Sequence, residues 1–255
     1  MKWKIALAVL IPWMFTSCMK SLANEDVEAV VVPEAFNHQK LVGTSARELL
    51  TDEKYTSLKV EIQYMNGFAP SRETLRNLHG FLNKYLNKPG GIIIVTKEIN
   101  PEALGALTID KVRALEKDYR TVYTTGKQLS LYILFTDGSH EDNRIFGCAY
   151  NNTSAVVFGK SVHDRSGDIG RPHRAKLESS VLLHEMGHLL GLVNTGSATV
   201  DSHHDDAHAK HCTNQQCLMY FQTEIRDPFD YLLRGKMPEL DSACAADLRA
   251  NGAKR

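Results

Sequence analysis

Residues 184–191 read His184-Glu185-Met186-Gly187-His188-Leu189-Leu190-Gly191, and the interpretation of the whole chain starts from them. Residues four apart share one face of a helix, so the side chains of His184 and His188 would meet on neighbouring turns. Two imidazoles at this spacing suit Zn²⁺, and the carboxylate of Glu185 can reach a water beside the ion. The stretch therefore predicts a helix that carries a metal site with a base next to it.

The residues around this motif are those of a buried helix. Gly191 supplies a natural stop, because glycine tolerates the left-handed backbone that ends helices. An amphipathic helix with two unremarkable histidines is the alternative, but a chance match to the four residues His184, Glu185, His188 and Gly191 at this spacing is expected in only about 2 chains per thousand. Apolar residues flank the motif on both sides: Val181, Leu182, Leu183, Leu189 and Leu190.

Composition limits the classes of function. The chain has 255 residues, with 30 basic and 30 acidic side chains and a formal net charge of zero. This length suits one domain, or one domain with a tail. A balanced charge gives no support for a nucleic-acid partner or for a polybasic membrane surface.

The first 18 residues have the pattern of an export signal. Lys2 and Lys4 precede an apolar stretch over residues 5–15, which is too short to span a bilayer as a helix. The following Thr16-Ser17-Cys18 resembles the lipobox of bacterial lipoproteins, in which the cysteine becomes the lipidated first residue. A plain secretory signal with an incidental cysteine is the alternative. We expect residues 1–17 to be removed and Cys18 to anchor the protein outside the cytoplasm. Within the cell envelope, the outer membrane or the cell surface is favoured over the inner membrane.

Residues 18–55 are predicted to be a lipidated N-terminus and tether, and the folded domain is predicted to occupy residues 56–255. From residue 56 the pattern alternates between period-2 or apolar strands and helices with apolar residues at helical spacing. Ser71 is placed to cap the first of these helices. The predicted strands are 58–65, 92–95 as a fully buried strand, 129–135, and one or two within 146–158. The predicted helices begin after Ser71, lie near 110–122, begin near Arg174, and cover 240–250 at the C-terminus.

This order of elements is similar to the N-terminal half of the metzincin-like zinc peptidases. The resemblance implies an α/β (α+β) fold with a twisted, mostly parallel sheet and one antiparallel edge strand packed on the motif helix. It also implies a small C-terminal subdomain with a terminal helix, and a protein or peptide substrate that binds as an extended strand along the sheet edge. Residues 149–158 are the best candidate for that edge, and an ordinary core strand is the alternative reading.

The chain departs from the metzincin pattern at the third metal ligand. In that family a histidine or aspartate follows the motif glycine after two intervening residues, but here this position is Asn194, a poor zinc ligand. The later segment His211-Cys212, four residues, Cys217-Leu218-Met219 resembles the continuation found in archaemetzincins. That resemblance implies that residues 195–210 are an insertion, that His211 is the third ligand, and that Met219 forms the Met-turn beneath the metal.

Other third ligands remain open from the sequence. His203 and His208 lie in the same loop as His211. A gluzincin, whose third ligand is a glutamate on a later helix, would use Glu224, although Asp227-Pro228 leaves little room for that helix.

The resemblance implies a monomeric zinc endopeptidase with one catalytic Zn²⁺ and Glu185 as general base and then general acid. Two other functions are consistent with the same residues. One is a binding lipoprotein that keeps a metal only to hold its fold, and the other is a hydrolase of peptidoglycan cross-links. An intact Glu185 argues against the first, because a structural metal site needs no base.

Four cysteines remain besides Cys18: Cys148, Cys212, Cys217 and Cys244. An exported domain permits disulfides, but four cysteines allow three pairings. In archaemetzincins the cysteines after the third histidine help to bind a second, structural zinc together with a later CxxC, which this chain lacks. We therefore expect one or two disulfides instead of a second zinc.

The export signal generates a spectroscopic prediction. Both tryptophans, Trp3 and Trp13, lie within the segment predicted to be removed. Protein purified from its native membrane should therefore show tyrosine emission alone when excited in the near ultraviolet. A tryptophan band from that material would rule out cleavage before Cys18.

Overall fold

The structure is a computed structural model that describes residues 35–101, 104–223 and 236–254. The predicted signal peptide of residues 1–17, the lipidation site Cys18 and the alternative ligand Glu224 lie outside the described residues. In the part of the chain that is described, no helix combines the length and the apolar character needed to cross a bilayer.

A five-stranded sheet forms the centre of the folded unit. Its strand order is β2-β1-β4-β7-β6, with parallel pairing throughout except between β6 and β7, which are antiparallel. The predicted mostly parallel sheet with one antiparallel edge strand is therefore confirmed. The strands are β1 (Ser57–Met65), β2 (Ile92–Ile99), β3 (Ala106–Leu107), β4 (Gln128–Thr136), β5 (Ser139–His140), β6 (Gly147–Asn151) and β7 (Ser154–Phe158), of which β3 and β5 form a separate two-stranded pair.

Helices cover both faces of the sheet. The helices are α1 (Ala46–Leu50), α2 (Arg72–Tyr85), α3 (Ile109–Tyr119), α4 (Gly159–Asp164), α5 (Arg174–Leu189) and α6 (Ser242–Ala250). Side chains of α2 and α5 share one apolar core with Leu131 and Ile133 of β4, while α3 packs against Tyr132 and Leu134 on the opposite face. Successive side chains of a strand point to opposite faces, so an inner strand buried on both sides has the continuous apolar run seen in β4.

The two edges of the sheet differ from the sequence prediction. The strand predicted at 92–95 is present, but it is not fully buried: β2 pairs only with β1 in the described sheet, and Ile93 is 52 % exposed. Its isoleucines indicate strand propensity, which does not distinguish an edge from a centre. Of the stretch 149–158, only the β6 part forms the opposite edge, because β7 lies between β4 and β6 as an ordinary buried strand.

The folded unit begins at Ala35, so residues 35–55 belong to it and not to the tether. Leu49 and Leu50 of α1 are fully buried in the main core. The ammonium group of Lys88 donates to the backbone carbonyls of Glu48, Thr51 and Tyr55. These carbonyls satisfy a buried cation, so the segment after α1 is held to the end of α2.

The C-terminal helix is present as predicted and closes the lower part of the domain. Asp241 caps α6, since its Oδ1 accepts a hydrogen bond from the Cys244 backbone at 2.9 Å. Cys244 and Leu248 are fully buried in the same core as α5.

His38 fastens the N-terminal segment to the sheet. Its Nε2 accepts from the backbone N–H of Thr124 at 3.2 Å, and its Nδ1 lies 2.7 Å from Thr153 Oγ1. Burial, and then the nearby Arg120 guanidinium, lower the pKa of His38 to about 3. The imidazole is therefore neutral in the folded protein at pH values well above 3.

This neutral histidine predicts a pH-dependent stability. Between pH 6.5 and pH 3 the unfolded chain binds a proton at His38 that the folded chain does not, so the free energy of unfolding falls as the pH falls through that window. His38→Gln removes this proton uptake. Urea denaturation should therefore show the wild type losing its advantage over His38→Gln between pH 7 and pH 4. The matched control is His79→Gln, an exposed site on α2, where the difference from wild type should stay constant.

Candidate metal centre

Helix α5 presents the two motif histidines to one point. The helix is buried from Leu177 to Leu189, as the apolar flanks of the motif predicted. His184 and His188 lie one turn apart, with ring centroids 4.7 Å apart and their Nε2 atoms 3.1 Å apart. The predicted use of one helical face by both imidazoles is what the structure shows.

The chain reverses immediately after this helix. Gly191 has a φ of 76°, and a Cβ at this position would lie 2.5 Å from the backbone nitrogen of Ser197. Asn194 also has a left-handed backbone, with a φ of 62°, and its side chain is exposed. The residue at the usual metzincin ligand position therefore lies outside the cluster of motif histidines.

His211 takes the third place in the cluster. Its ring centroid lies 5.2 Å from that of His184 and 5.4 Å from that of His188. One ring nitrogen from each of the three histidines lies within 4.8 Å of the others. The structure thus brings together the three residues that the archaemetzincin resemblance implied.

The other two histidines weighed from the sequence lie elsewhere. His208 is stacked on Phe221, with ring centroids 3.5 Å apart, and its Nδ1 lies 2.9 Å from Asp205 Oδ2 near the surface. His203 is buried beside Asp247, away from the cluster, with a 2.7 Å contact between His203 Nε2 and Asp247 Oδ2.

Backbone carbonyls orient two of the three imidazoles. His184 Nδ1 lies 2.7 Å from the carbonyl oxygen of Leu218, and His211 Nδ1 lies 3.2 Å from that of His208. A carbonyl oxygen only accepts, so each Nδ1 carries the proton and donates it. Each Nε2 then keeps the lone pair that a metal ligand requires, which is the usual support for a metal-binding histidine.

Glu185 lies against the sheet edge. Its side chain is fully buried, and Oε2 accepts a 2.7 Å hydrogen bond from the backbone N–H of Ala149 on β6. A Cβ at Gly147 would come within 2.9 Å of Glu185 Oε1 and 2.6 Å of Val181 Cγ1. The strand therefore approaches the helix closely only because residue 147 has no side chain.

Met219 packs beneath the motif helix. It is fully buried, and its carbonyl accepts from the Cys212 backbone at 2.8 Å. A Cβ at Gly187 would overlap the sulfur of Met219, so this glycine within the motif leaves the room that the methionine occupies. The position corresponds to the apolar floor expected for a Met-turn.

A cavity of about 210 Å³ opens beside these groups. It runs from the histidine cluster to the sheet edge at Ala149. Three of its lining residues, Val42, Thr195 and Lys210, were not predicted from the sequence. Nothing in their local sequence distinguishes them from other loop residues. The lining residues are Val42, Cys148, Ala149, Glu185, His188, Thr195, Lys210 and His211.

The histidine cluster fits zinc. Zn–N bonds of 2.0–2.1 Å in a tetrahedron separate two ligand nitrogens by about 3.3 Å, close to the 3.1 Å between the Nε2 atoms of His184 and His188. One ring nitrogen of His211 lies within 4.8 Å of a ring nitrogen of each of these two histidines, which is close enough for one ion to bind all three. Three imidazoles beside an open cavity form the donor set of a catalytic zinc site.

The expected disulfides are absent, which corrects the sequence prediction. Cys148, Cys212, Cys217 and Cys244 are all thiols. The Sγ atoms of Cys217 and Cys244 lie 3.6 Å apart, whereas a disulfide requires about 2.05 Å. Cys148 lies on β6 at the cavity instead of near the other three.

Cys212, Cys217 and Cys244 gather around Asp241 as a second candidate metal cluster, here called the thiol cluster. The four ligand atoms lie within 4.8 Å of one another. In a tetrahedral zinc site with Zn–S bonds of 2.3 Å, sulfurs are about 3.8 Å apart, close to the Cys217–Cys244 separation. Hydrogen bonds from the thiols of Cys212 and Cys244 lower the pKa of Cys217, which makes it the most readily ionised of the three.

His203 completes the surroundings of the thiol cluster. Its Nδ1 lies 3.8 Å from Cys244 Sγ, and its Nε2 faces Asp247. Burial lowers the pKa of His203, but the interactions with Asp247 and Cys212 together outweigh it and raise the pKa above its ordinary value. The absence of a CxxC concealed this cluster from sequence analysis, because its members come from a loop, a helix cap and a terminal helix.

Two of the solved structures that are similar to this chain are metallopeptidases by name. One is archaemetzincin from Methanopyrus kandleri, at 20 % identity and a TM-score of 0.48, with 77 % of this chain and 96 % of that chain covered. The other is metalloproteinase-II from Bacteroides fragilis, at 16 % identity and a TM-score of 0.43, with 87 % of this chain and 59 % of that chain covered. No protein-family model and no curated protein sequence matches the chain. At such distances the function has to be argued from the residues of the site itself.

Proposed function

We propose that this protein is a zinc-dependent endopeptidase that hydrolyses peptide bonds of extracytoplasmic proteins. One observation carries the proposal: three histidines converge on one point beside a buried glutamate, in a cavity that opens along a sheet edge. His184, His188 and His211 would hold the ion, with Met219 beneath them.

When bound, zinc supplies a Lewis acid that polarises the substrate carbonyl and makes a neighbouring water more acidic. Glu185 is the base of this site, because it adjoins His184 on the helix and lines the same cavity as His188 and His211. It takes a proton from the attacking water and delivers it to the leaving amine. The hydrogen bond from Ala149 N–H holds this carboxylate in place during both transfers.

The substrate is proposed to bind as an extended strand along β6. In the described sheet, β6 pairs with β7 along one side and with no strand along the other. Its residues Cys148 and Ala149 line the cavity. Pairing with a sheet edge uses main-chain hydrogen bonds, so it accepts peptides of varied sequence. That mode of binding suits an endopeptidase.

The location and assembly state are proposals that rest on the sequence alone. The signal and lipobox-like pattern over residues 1–18 supports tethering through Cys18 to the outer membrane or the cell surface. We propose a monomer. Lipid attachment at Cys18 would keep the catalytic domain at a bilayer surface.

The metal content of the proposal differs from the single ion expected from the sequence. Three thiols with an oxygen or nitrogen ligand are the donors of a structural zinc, and the thiol cluster supplies them with Asp241 or His203. We therefore propose a second, structural zinc there. A structural zinc at the thiol cluster also weakens the alternative of a binding lipoprotein, because the histidine cluster would then not be needed to hold the fold.

Glu185→Gln tests the base. Loss of general acid–base catalysis should lower casein hydrolysis about 10³-fold, while the metal content stays unchanged. The matched control is Glu178→Gln on the same helix, whose carboxylate accepts from the Ser71 backbone and lies outside the cavity; it should keep activity per folded molecule. Undiminished cleavage by Glu185→Gln would refute the mechanism. Purified cell-wall sacculi assayed in parallel decide whether peptidoglycan is the substrate instead.

Metal analysis of single histidine variants tests the ligand assignment. His211→Ala should lose the catalytic ion and its activity, because two imidazoles alone hold zinc weakly. His208→Ala should keep both, since His208 lies outside the cluster. Elemental analysis of the purified variants gives the ion count, with about two ions expected in the wild type. Equal metal content in His211→Ala and His208→Ala would contradict the assignment.

A further inference from the structure

A second cavity lies at the far end of the same edge strand. Its volume is about 380 Å³, which is within the range of pockets that accommodate small ligands. Tyr150 and Asn151 of β6 line it, whereas Cys148 and Ala149 line the catalytic cavity. Likewise Leu41 lines the second cavity and Val42 the first. The two cavities therefore adjoin successive residues of β6, about 7 Å apart along the strand at 3.3 Å per residue, with the catalytic cavity on the face of the sheet covered by α5 and the second cavity on the face covered by α3.

The second cavity is strongly basic. Lys40, Arg113, Lys117 and Arg120 line it, and among the described residues Glu116 is the one acidic side chain that does so. Arg113, Lys117 and Arg120 recur at helical spacing along α3 and its C-terminal cap, so one stripe of the helix faces the cavity. We call this pocket the basic cavity.

Its one carboxylate is already neutralised. Glu116 Oε1 lies 2.6 Å from Arg120 Nη1, and both side chains are buried. Arg120 also donates to Ser130 Oγ at 2.8 Å and to the carbonyl of Val122 at 2.9 Å. The pair forms a rigid floor, in which the arginine has little capacity left for a ligand.

The remaining cations are available at the rim. Lys117 and Lys40 are exposed, and neither side chain forms an ion pair with a described residue. Arg113 donates to the carbonyl oxygen of Tyr150 at 3.1 Å and forms a surface ion pair with Asp110 at 2.9 Å. Asp110 is 90 % exposed, so this ion pair is readily exchanged for a ligand carboxylate. Burial, and then the Glu116 carboxylate, raise the pKa of Tyr150 well above its ordinary value, so its hydroxyl remains a hydrogen-bond donor.

We infer that the basic cavity is a substrate subsite that binds an acidic side chain, two or three residues from the scissile bond on the side facing the C-terminal end of β6. This inference rests on the proposed peptidase function and on strand addition to β6. An extended peptide that passes the catalytic cavity continues past Tyr150 and Asn151 and places a side chain over the basic cavity. Its carboxylate there meets Lys117, Arg113 and Lys40.

Paired peptides test the subsite. Each pair differs only by Glu or Gln at one position, scanned over three residues on both sides of the cleaved bond. At one position, two or three residues away, Glu should raise kcat/KM about fivefold, and the preference should fall as salt is added. Lys117→Ala and Arg113→Ala should each reduce it towards unity. The matched control is Lys111→Ala on the same helix, which does not line the cavity and should keep the preference.

The failures of the two proposals are distinguishable. Cleavage of all peptides without preference for Glu at any scanned position overturns the subsite and leaves the peptidase proposal intact. Absence of any cleavage overturns the peptidase proposal. Binding of the same labelled peptides to Glu185→Gln, followed by fluorescence anisotropy, then tests the basic cavity without turnover. Tighter binding of the Glu peptide, lost in Lys117→Ala but not in Lys111→Ala, supports it, and equal binding of both peptides overturns it.

Discussion

The hydrogen bond between His184 Nδ1 and the carbonyl of Leu218 joins the motif helix to the loop that follows it. Through this one contact the orientation of a helical imidazole depends on a residue 34 positions later. The same loop carries His211, and Met219 follows Leu218 directly. The loop is in turn held by Cys212 and Cys217, which belong to the thiol cluster. The histidine cluster is therefore not a property of the helix alone, since its geometry is stabilised by the fold of residues 203–219 and by α6.

Two glycines make the close packing at this centre possible. Gly147 lets the edge strand approach Glu185, and Gly187 lets Met219 lie directly against the motif helix. At both positions a methyl group would meet a side chain that the site requires. Buried polar groups are expensive unless they are bonded, and the backbone N–H of Ala149 offsets that cost for Glu185.

Much of the fold was predictable, because β1, α2, α3, β4 and α5 each have a clear period in their own residues. His211 was implied by the resemblance of the segment around it to the archaemetzincin continuation, while the residues alone left His203 and His208 open. What the sequence concealed depends on tertiary proximity. The thiol cluster combines residues from three elements, and local spacing showed no CxxC. Ile93 has the same character in an edge strand as in a central one. The partners of His184 and Glu185 are backbone atoms, which every residue carries, so no letter in the sequence marks Leu218 or Ala149 for these roles.

Strand β6 supports the candidate base through Ala149 and also forms one edge of the sheet. In an enzyme of the proposed kind, this one strand would then set the position of both the proton acceptor and the bond to be broken. A displacement of β6 would move the two together, so it would change the distance between them less than two independent motions would. Such shared motion would keep the base aligned with the bound peptide while the sheet fluctuates.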